Sequence, residues 1–486
     1  VRKPDTVFDR DFEWSVLADF ATGAARGAAL GMVSGRRRQG KTLLLQELCA
    51  ATGGFYFAAT EATASESLRL LAHALAEHAG QRVPLALSSW EDAVDALLGL
   101  GLGAGAGLPV VIDEFPYLCR PSPELPSVIQ KALAPRAARR VASRCRLILC
   151  GSAITFMGRL LSGSAPLRGR AGLDLTVSAF DPRTAAAFWG ITDWALALRV
   201  HAVVGGTPAY RREYVNDDAP GSLADFDPWV CRTVLNPASP LHREARYLLA
   251  EDSEIRDPAL YHSVLAAIAS GNRTRGAIAT YIGRPADTVG HPITVLEDAG
   301  LVVREHDALR QARSYYRISE PLITFYHGVM RPEWSRLQRP GAAEQVWADS
   351  RDRFASTVLG PHFEGMCRWW TATHATAASL GGRVVRVASG LVNDASARIA
   401  HEVDVIGLDA DGRIVCLGEA KLGATLGAGH LERLRRAREL ITRTDHRARD
   451  ARLLLFSGAG FTPDLVASAP QQGVELVDLT RLYTGD

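Results

Sequence analysis

The chain predicts an α/β fold: a parallel sheet with helices on both faces, followed by a second, separate α/β domain. Three observations carry this. Strand-like runs at 29–33, 55–58, 109–112, 146–150 and 173–178 alternate with stretches of helical periodicity, the pattern of strand–helix–strand units. Between the first run and the first helical stretch stands Gly35-Arg36-Arg37-Arg38-Gln39-Gly40-Lys41-Thr42. Far downstream, arms at 399–408 and 413–421 carry acids and a lysine at alternating positions around Asp409-Ala410-Asp411-Gly412, as a hairpin would.

The glycine stretch fits G-x-x-x-x-G-K-[ST] in the order strand, loop, helix, which makes it a phosphate-binding P-loop. Its glycines let backbone N–H groups turn inward, and the new helix presents its positive end to phosphate. The candidate ATP-binding segment runs from Gly35 through Arg38, Gln39 and Gly40 to Lys41, Thr42 and Leu43. Lys41 would reach the β- and γ-phosphates, and the Thr42 hydroxyl would hold Mg²⁺. Only Lys3, Lys41, Lys131 and Lys421 are lysines among 55 Lys+Arg residues. A chain that uses arginine almost everywhere keeps lysine where a compact ammonium is needed, and Lys41 and Lys421 are two such places.

At 486 residues the chain has room for two to four domains. A net charge of +2 leaves no global field, so any nucleic-acid surface must be local. Seven scattered cysteines without a C-x-x-C pair give no zinc or disulfide signal and suit a reducing compartment. No apolar run is long enough to span a membrane, and no signal-peptide pattern opens the chain. These features predict a soluble cytoplasmic protein with no membrane partner.

Helical patterns are expected at 65–79 and 89–98, with a glycine-rich connection at 99–107 that opens into a strand rather than a helix. The run 109–114 ends in Asp113 and Glu114, the Walker B arrangement: Asp113 would organise Mg²⁺, and Glu114 would orient or deprotonate the attacking water. Ser152, after the run 146–151, is either a γ-phosphate sensor or an ordinary strand-end serine. Arg168 or Arg170 would act as a finger on a neighbour's phosphate, which needs a homo-oligomer; otherwise both are solvated loop arginines.

These residues, with Leu149-Cys150-Gly151-Ser152 and Gly205-Gly206-Thr207-Pro208-Ala209-Tyr210, resemble the archaeal-type ATPases, which belong with the STAND and origin-recognition branch of the AAA+ proteins. The resemblance implies a helical lid in which Pro208 packs on the nucleotide base; on the residues alone, this is a loop between helices. The chain departs from the AAA+ pattern in having no clear second-region arginine in the lid.

From 257 the pattern changes to three short helices (260–269, 274–282, 286–299) and a two-stranded wing (301–304, 314–318). That is the order of a winged helix, whose third helix would enter a major groove. Arg273, Arg275 and Arg284 would lie near its DNA face, with Pro292 interrupting the third helix. Winged helices also serve as protein-interaction modules, and both roles stay open. A polar linker at 331–343 is expected next.

In the last domain a helix at 354–373 carries Glu364, and a strand is expected at 383–388. If the turn closes symmetrically, Asp404 faces Leu417, and Glu402, Asp404, Glu419 and Lys421 line one side. Such carboxylates bind Mg²⁺, and the lysine would neutralise developing phosphoryl charge. Asp404 with Glu419-Ala420-Lys421 is similar to the D…E-x-K motif of the PD-(D/E)xK nuclease superfamily, and Glu364 matches the helical glutamate of some members. The helix after it, 430–442, carries Arg433, Arg435, Arg436 and Arg438, with Arg443, Arg447 and Arg449 beyond. These are either a solvated face or a binder of the phosphate backbone. Archaeal-type ATPases often end in a domain of this kind, and Tyr316-Arg317-Ile318-Ser319-Glu320-Pro321 and Phe363-Glu364 look like that family's junction.

The expected organisation is a P-loop ATPase core (1–190), a helical lid (191–256), a winged helix (257–330), the linker (331–343) and a restriction-endonuclease-like domain (344–486). Its expected chemistry is ATP hydrolysis with Mg²⁺, coupled to binding and Mg²⁺-dependent cleavage of nucleic acid, DNA first. The alternative is a nucleotide-gated scaffold whose last domain binds without cleaving.

Overall fold

The computed structural model describes the whole chain except residues 25, 251–256, 311, 395–397 and 445–447. It forms two compact units, Val1–Ala179 and, beyond it, Phe180–Ala250 together with residues 257–486.

The first unit is built on five parallel strands: β1 (Ala29–Ser34), β2 (Phe55–Ala58), β3 (Leu108–Asp113), β4 (Cys145–Gly151) and β5 (Ala171–Thr176), in the spatial order β2-β3-β4-β1-β5. Alternate residues feed opposite cores. Leu30, Met32, Val110, Ile112, Leu147 and Leu149 face one, and Val33, Val111, Ile148 and Cys150 face the other. A sheet buried on both faces needs continuous apolar strands, which is why these runs read so plainly. Helices Asp11–Thr22 and Lys41–Thr52 cover one face, and Ala64–His78, Trp90–Gly99 and Leu125–Ala132 the other. Periodicity gives no hint of the short helices Pro116–Cys119, Leu125–Ala132, Ala138–Ala142 and Ile154–Leu161, which span only four to eight residues.

In the second unit, helices Pro182–Trp189, Trp194–Val204, Leu223–Arg232 and Pro240–Ala250 come first. Helices Pro258–Ala269, Arg275–Ile282 and Gly290–Asp298 follow, with the antiparallel hairpin β6 (Val302–His306) and β7 (Ser314–Ile318). Pro292 does not interrupt the third helix. The helix starts at Gly290, later than expected, so the proline falls in its first turn, where no backbone donor is needed. The stretch 331–343 is not a bare linker either. It contains helix Trp334–Leu337, Leu337 is buried, and the Trp334 ring stacks on His242 with centroids 4.8 Å apart.

The unit ends in a mixed sheet: β8 (Arg386–Asp394), β9 (Ile399–Leu408), β10 (Ile414–Lys421), β11 (Arg452–Ser457) and β12 (Val474–Asp478), ordered β12-β11-β10-β9-β8. Strands β8, β9 and β10 run antiparallel, while β10, β11 and β12 run parallel. Helix Gly360–Thr373 packs on one face through Phe363, Cys367 and Trp370. Helix Ala428–Thr444 packs on the other through Leu431, Leu434 and Ile441. Among the described residues no helix is long and apolar enough to cross a membrane.

Candidate functional sites

The first site grows from the end of β1. Gly35 stands at φ +143°, and a Cβ there would lie 2.2 Å from the Val177 carbonyl oxygen, so only glycine lets the loop leave the strand. Gly40, at φ +88°, turns the chain into helix Lys41–Thr52. Lys41, 5% exposed, donates to the carbonyls of Gly35 (2.7 Å) and Arg36 (2.8 Å). Burial lowers its pKa, against the pull of nearby Glu114 and Asp113. The Thr42 hydroxyl donates to Asp113 Oδ2 at 2.8 Å, joining the P-loop helix to the end of β3. Gln39 is buried beneath the loop, and Leu43 is exposed.

Asp113 is the last residue of β3, and Glu114 stands just past it at φ +52°. The Glu114 N–H donates to Asp113 Oδ1 (2.9 Å), and Ser152, one residue past β4, donates to Glu114 Oε2 (3.0 Å). Thr42 and Asp113 offer hydroxyl and carboxylate oxygens, a hard donor set that suits Mg²⁺ completed by phosphate and water. When bound, that ion would neutralise phosphate charge. Three contributors were not legible in the sequence. Tyr56 donates to Asp113 Oδ2 (2.8 Å) and Arg37 donates to Ser152 Oγ (3.2 Å). Arg10 donates to the carbonyls of Ser178 (2.6 Å) and Gln39 (3.3 Å), fastening the first helix to the loop. Arg10 and Tyr56 lie outside any motif, and Arg37 sits at a position the motif leaves open.

Arg170 does not join this site within one chain. It precedes β5, whose Ala171 pairs with Leu30 near the start of β1, whereas the P-loop follows the other end of that strand. Arg168 donates to the Gly163 carbonyl in its own loop (2.6 Å). Pro208 belongs to the second unit, between helix Trp194–Val204 and the π-helical turn Tyr210–Tyr214.

The second site lies on β9 and β10. The turn closes through Asp409 N–H to the Arg413 carbonyl (3.0 Å), one residue longer than symmetric closure, and the register slips again between Ile414 and Cys416. Gly418 therefore pairs with Val405, which sets Glu419 opposite Asp404 in place of the expected Leu417. The total slip is even, so every side chain keeps its face. Ala388 pairs with Ile406 but Gly390 with Val403, so β9 carries one extra residue at Asp404–Val405. A bulge of this kind re-aims side chains.

Lys421 Nζ lies 3.7 Å from Asp404 Oδ2 and 3.9 Å from Glu419 Oε1. Asp404 Oδ2 accepts the Ala420 N–H (2.8 Å), and its carbonyl accepts from Arg368 (3.0 Å). Burial raises the Asp404 pKa, opposed by Lys421. Glu364, half-buried, is pushed up to about 7 by burial and then by the Asp404 charge; Glu402, exposed, adds to that push. Among the described residues no group of three or more His, Cys, Asp and Glu is arranged to hold a metal ion. Asp404 and Glu419 present oxygens of the right kind, and Lys421 lies against each of them.

The basic helix is largely engaged within the chain. Arg433 pairs with Glu419 (3.1 Å), Arg436 with Asp394 (2.9 Å) and Arg435 with Glu432 and Gln472, and Arg438 donates to the Ala451 carbonyl (3.1 Å). Glu419 and Asp394, on the facing strands, take up the charges of Arg433 and Arg436, in part against both the solvated and the phosphate-binding expectation. Arg443 and Arg449 are exposed; Arg447 lies outside the described residues. Arg275 is also committed, donating to the Ala286 (2.6 Å) and Asp287 (3.3 Å) carbonyls. The Arg273 charge acts on Glu364 and Glu305, while Arg284 is exposed.

No protein-family model matches the chain. An uncharacterized protein of Methanocaldococcus jannaschii is 24% identical over 311 residues, 63% of this chain; the match spans 65% of that relative's length. Among solved structures, the ORC2 protein of Aeropyrum pernix is 14% identical and superposes loosely, with a TM-score of 0.40 over 72% of this chain and 97% of its own. A Walker-type ATPase of Pyrococcus abyssi, 19% identical, superposes with a TM-score of 0.50 over 67% of this chain and 97% of its own. That likeness assigns the fold, a P-loop NTPase sheet followed by further elements.

Proposed function

We propose that this chain is an ATP-binding and ATP-hydrolysing protein of the AAA+/STAND type, working in the cytoplasm. The observation that carries this is the 2.8 Å hydrogen bond from Thr42 to Asp113, beside a buried Lys41, because it brings the P-loop and the acid-tipped strand to one point. The Pyrococcus abyssi neighbour, named a Walker-type ATPase, supports it. In this reading Lys41 and the loop amides from Gly35 to Leu43 bind phosphate, Thr42 and Asp113 hold Mg²⁺, and Glu114 accepts the proton of the attacking water. Pro208 would contact the base, and Arg170 would act on the nucleotide of a neighbouring copy. The test is nucleotide binding and turnover: Lys41→Ala loses binding, and Glu114→Gln binds without hydrolysing. Equal turnover by Glu114→Gln and parent would remove Glu114 from its role.

For the second unit the proposal is a winged helix (257–330) and a nuclease-like domain (344–486) that engage nucleic acid, with Asp404, Glu419 and Lys421 as the cleaving set and Glu364 as a third acid. The shared contact of Lys421 with both carboxylates favours it. The scaffold reading rests on Arg433, which pairs with Glu419 and competes with a metal for its oxygen. Strand cleavage with Mg²⁺ or Mn²⁺, with and without ATP, separates the two.

A further inference from the structure

The reading of ATP hydrolysis leaves Arg37, a side chain of the phosphate loop itself, without a role. Its Nε donates to Ser152 Oγ at 3.2 Å and its Nη2 to the Tyr117 hydroxyl at 2.5 Å. The single Ser152 proton goes on to Glu114 Oε2 at 3.0 Å. A hydroxyl that accepts from a guanidinium is a stronger donor, so the two bonds reinforce one another in the direction Arg37, Ser152, Glu114. Glu114 is constrained at its backbone as well. Its φ of +52° is costly for a residue with a Cβ, and its N–H is tied to Asp113 Oδ1. The charges of Arg37, Asp113 and Glu114 all act on Lys41, so the four groups share one small region.

We propose that Arg37 is a positioning residue for ATP hydrolysis, acting within its own chain: it aims Glu114 through Ser152. The loop that grips the phosphates thereby also orients the base. This rests on the ATPase reading above. In the step it serves, the water oxygen bonds to the γ-phosphorus while the bond to the β–γ bridging oxygen breaks. The electron pair of that bond leaves with ADP, and the water proton passes to the Glu114 carboxylate. Ser152 relays orientation and takes no proton.

The test combines binding of a fluorescent ATP analogue with single-turnover hydrolysis, for the parent, Arg37→Ala, Ser152→Ala, Ser152→Thr and the double variant Arg37→Ala/Ser152→Ala. Both alanine variants should bind nucleotide nearly as well as the parent and hydrolyse it on the order of 10- to 100-fold more slowly. The double variant should be no slower than the slower single one, because both break one chain. Ser152→Thr, which keeps the hydroxyl, should recover most of the rate. Losses that multiply in the double variant, or a loss of binding that accounts for the whole effect, overturn the positioning role. An active parent matched in rate by Arg37→Ala overturns this inference alone. A folded parent that turns over no ATP overturns the ATPase reading, and the inference with it.

Discussion

Tyr56 donates its phenol proton to the same Asp113 oxygen, Oδ2, that accepts the Thr42 hydroxyl, each at 2.8 Å. Tyr56 pairs with Val111 across β2 and β3, so the phenol reaches along the sheet edge to an acid two residues further on. Burial, and then the Asp113 charge, push the Tyr56 pKa well above its usual range, so the group stays a donor. With the Glu114 N–H on Oδ1, Asp113 is oriented through both oxygens.

Partners that orient a metal-organising carboxylate act on metal affinity more than on the rest of the site. Tyr56→Phe keeps the ring and removes only the donor. Its Mg²⁺ half-saturation for ATP turnover should rise about tenfold. Nucleotide binding in EDTA should stay unchanged. A Mg²⁺ titration of the two proteins checks it, and coincident curves would leave Tyr56 a packing residue.

His201 Nδ1 lies 2.9 Å from His362 Nε2, so at least one of the pair is neutral there, and burial pushes His201 down to about 4. Burial also drives His362 well below its ordinary value. A base whose pKa is depressed on folding stabilises the fold above its unfolded value, near 6.5, and that stability is lost as pH falls toward 4. At pH 5 the loss from His201 alone should be about 2 kcal/mol relative to pH 7.5. Thermal unfolding at both pH values should show a lower Tm at pH 5, and His201→Gln should narrow the gap. An unchanged gap in His201→Gln would assign the acid sensitivity elsewhere.

The strands of the first unit were legible because β1, β3 and β4 are buried on both faces, which forces unbroken apolar runs. The P-loop was legible because its glycines answer to backbone geometry: Gly35 has the Val177 carbonyl against it. Arg10, Tyr56 and Arg37 were not, because each acts through a hydrogen bond to a residue distant in sequence, at a position no local pattern marks. The hairpin at 399–421 was legible, but its register was not. Symmetric closure ignored the longer turn and the extra residue near Val415, and with them the pairing that sets Glu419 opposite Asp404. Composition could not tell a phosphate-facing arginine from one paired internally, as Arg433 and Arg436 are.

Arg433 stands 3.1 Å from Glu419 Oε1 with its side chain half exposed, so water screens much of its charge. Removing it should still favour a cation at that oxygen. Arg433→Ala should bind Mn²⁺ more tightly at the second site by a factor of about five, near 1 kcal/mol. Calorimetry in the Lys41→Ala background, without nucleotide, isolates that site. Weaker Mn²⁺ binding in Arg433→Ala would mean that the arginine orders Glu419 rather than competing for it.

Lys421 decides between a cleaving enzyme and a scaffold. Its ammonium stands 3.7 Å from Asp404 and 3.9 Å from Glu419, beyond a short hydrogen bond to either. It can hold both acids by charge and still turn to a phosphate. In the cleaving reading, Asp404→Ala and Glu419→Ala each abolish metal-dependent strand cleavage. Lys421→Ala should slow cleavage by roughly 10²- to 10³-fold and leave Mn²⁺ binding largely intact, since its charge matters most as phosphoryl charge develops. Lys421→Arg should be impaired as well, because a planar fork cannot set its charge between two carboxylates as a compact ammonium does. ATP binding should survive all four changes, because the phosphate loop belongs to the other unit. Single-stranded and duplex DNA, tested with each metal and with and without ATP, give the readout. A parent that cuts neither under any of these conditions, or four variants that cut as well as it does, would leave the scaffold as the role of the second unit.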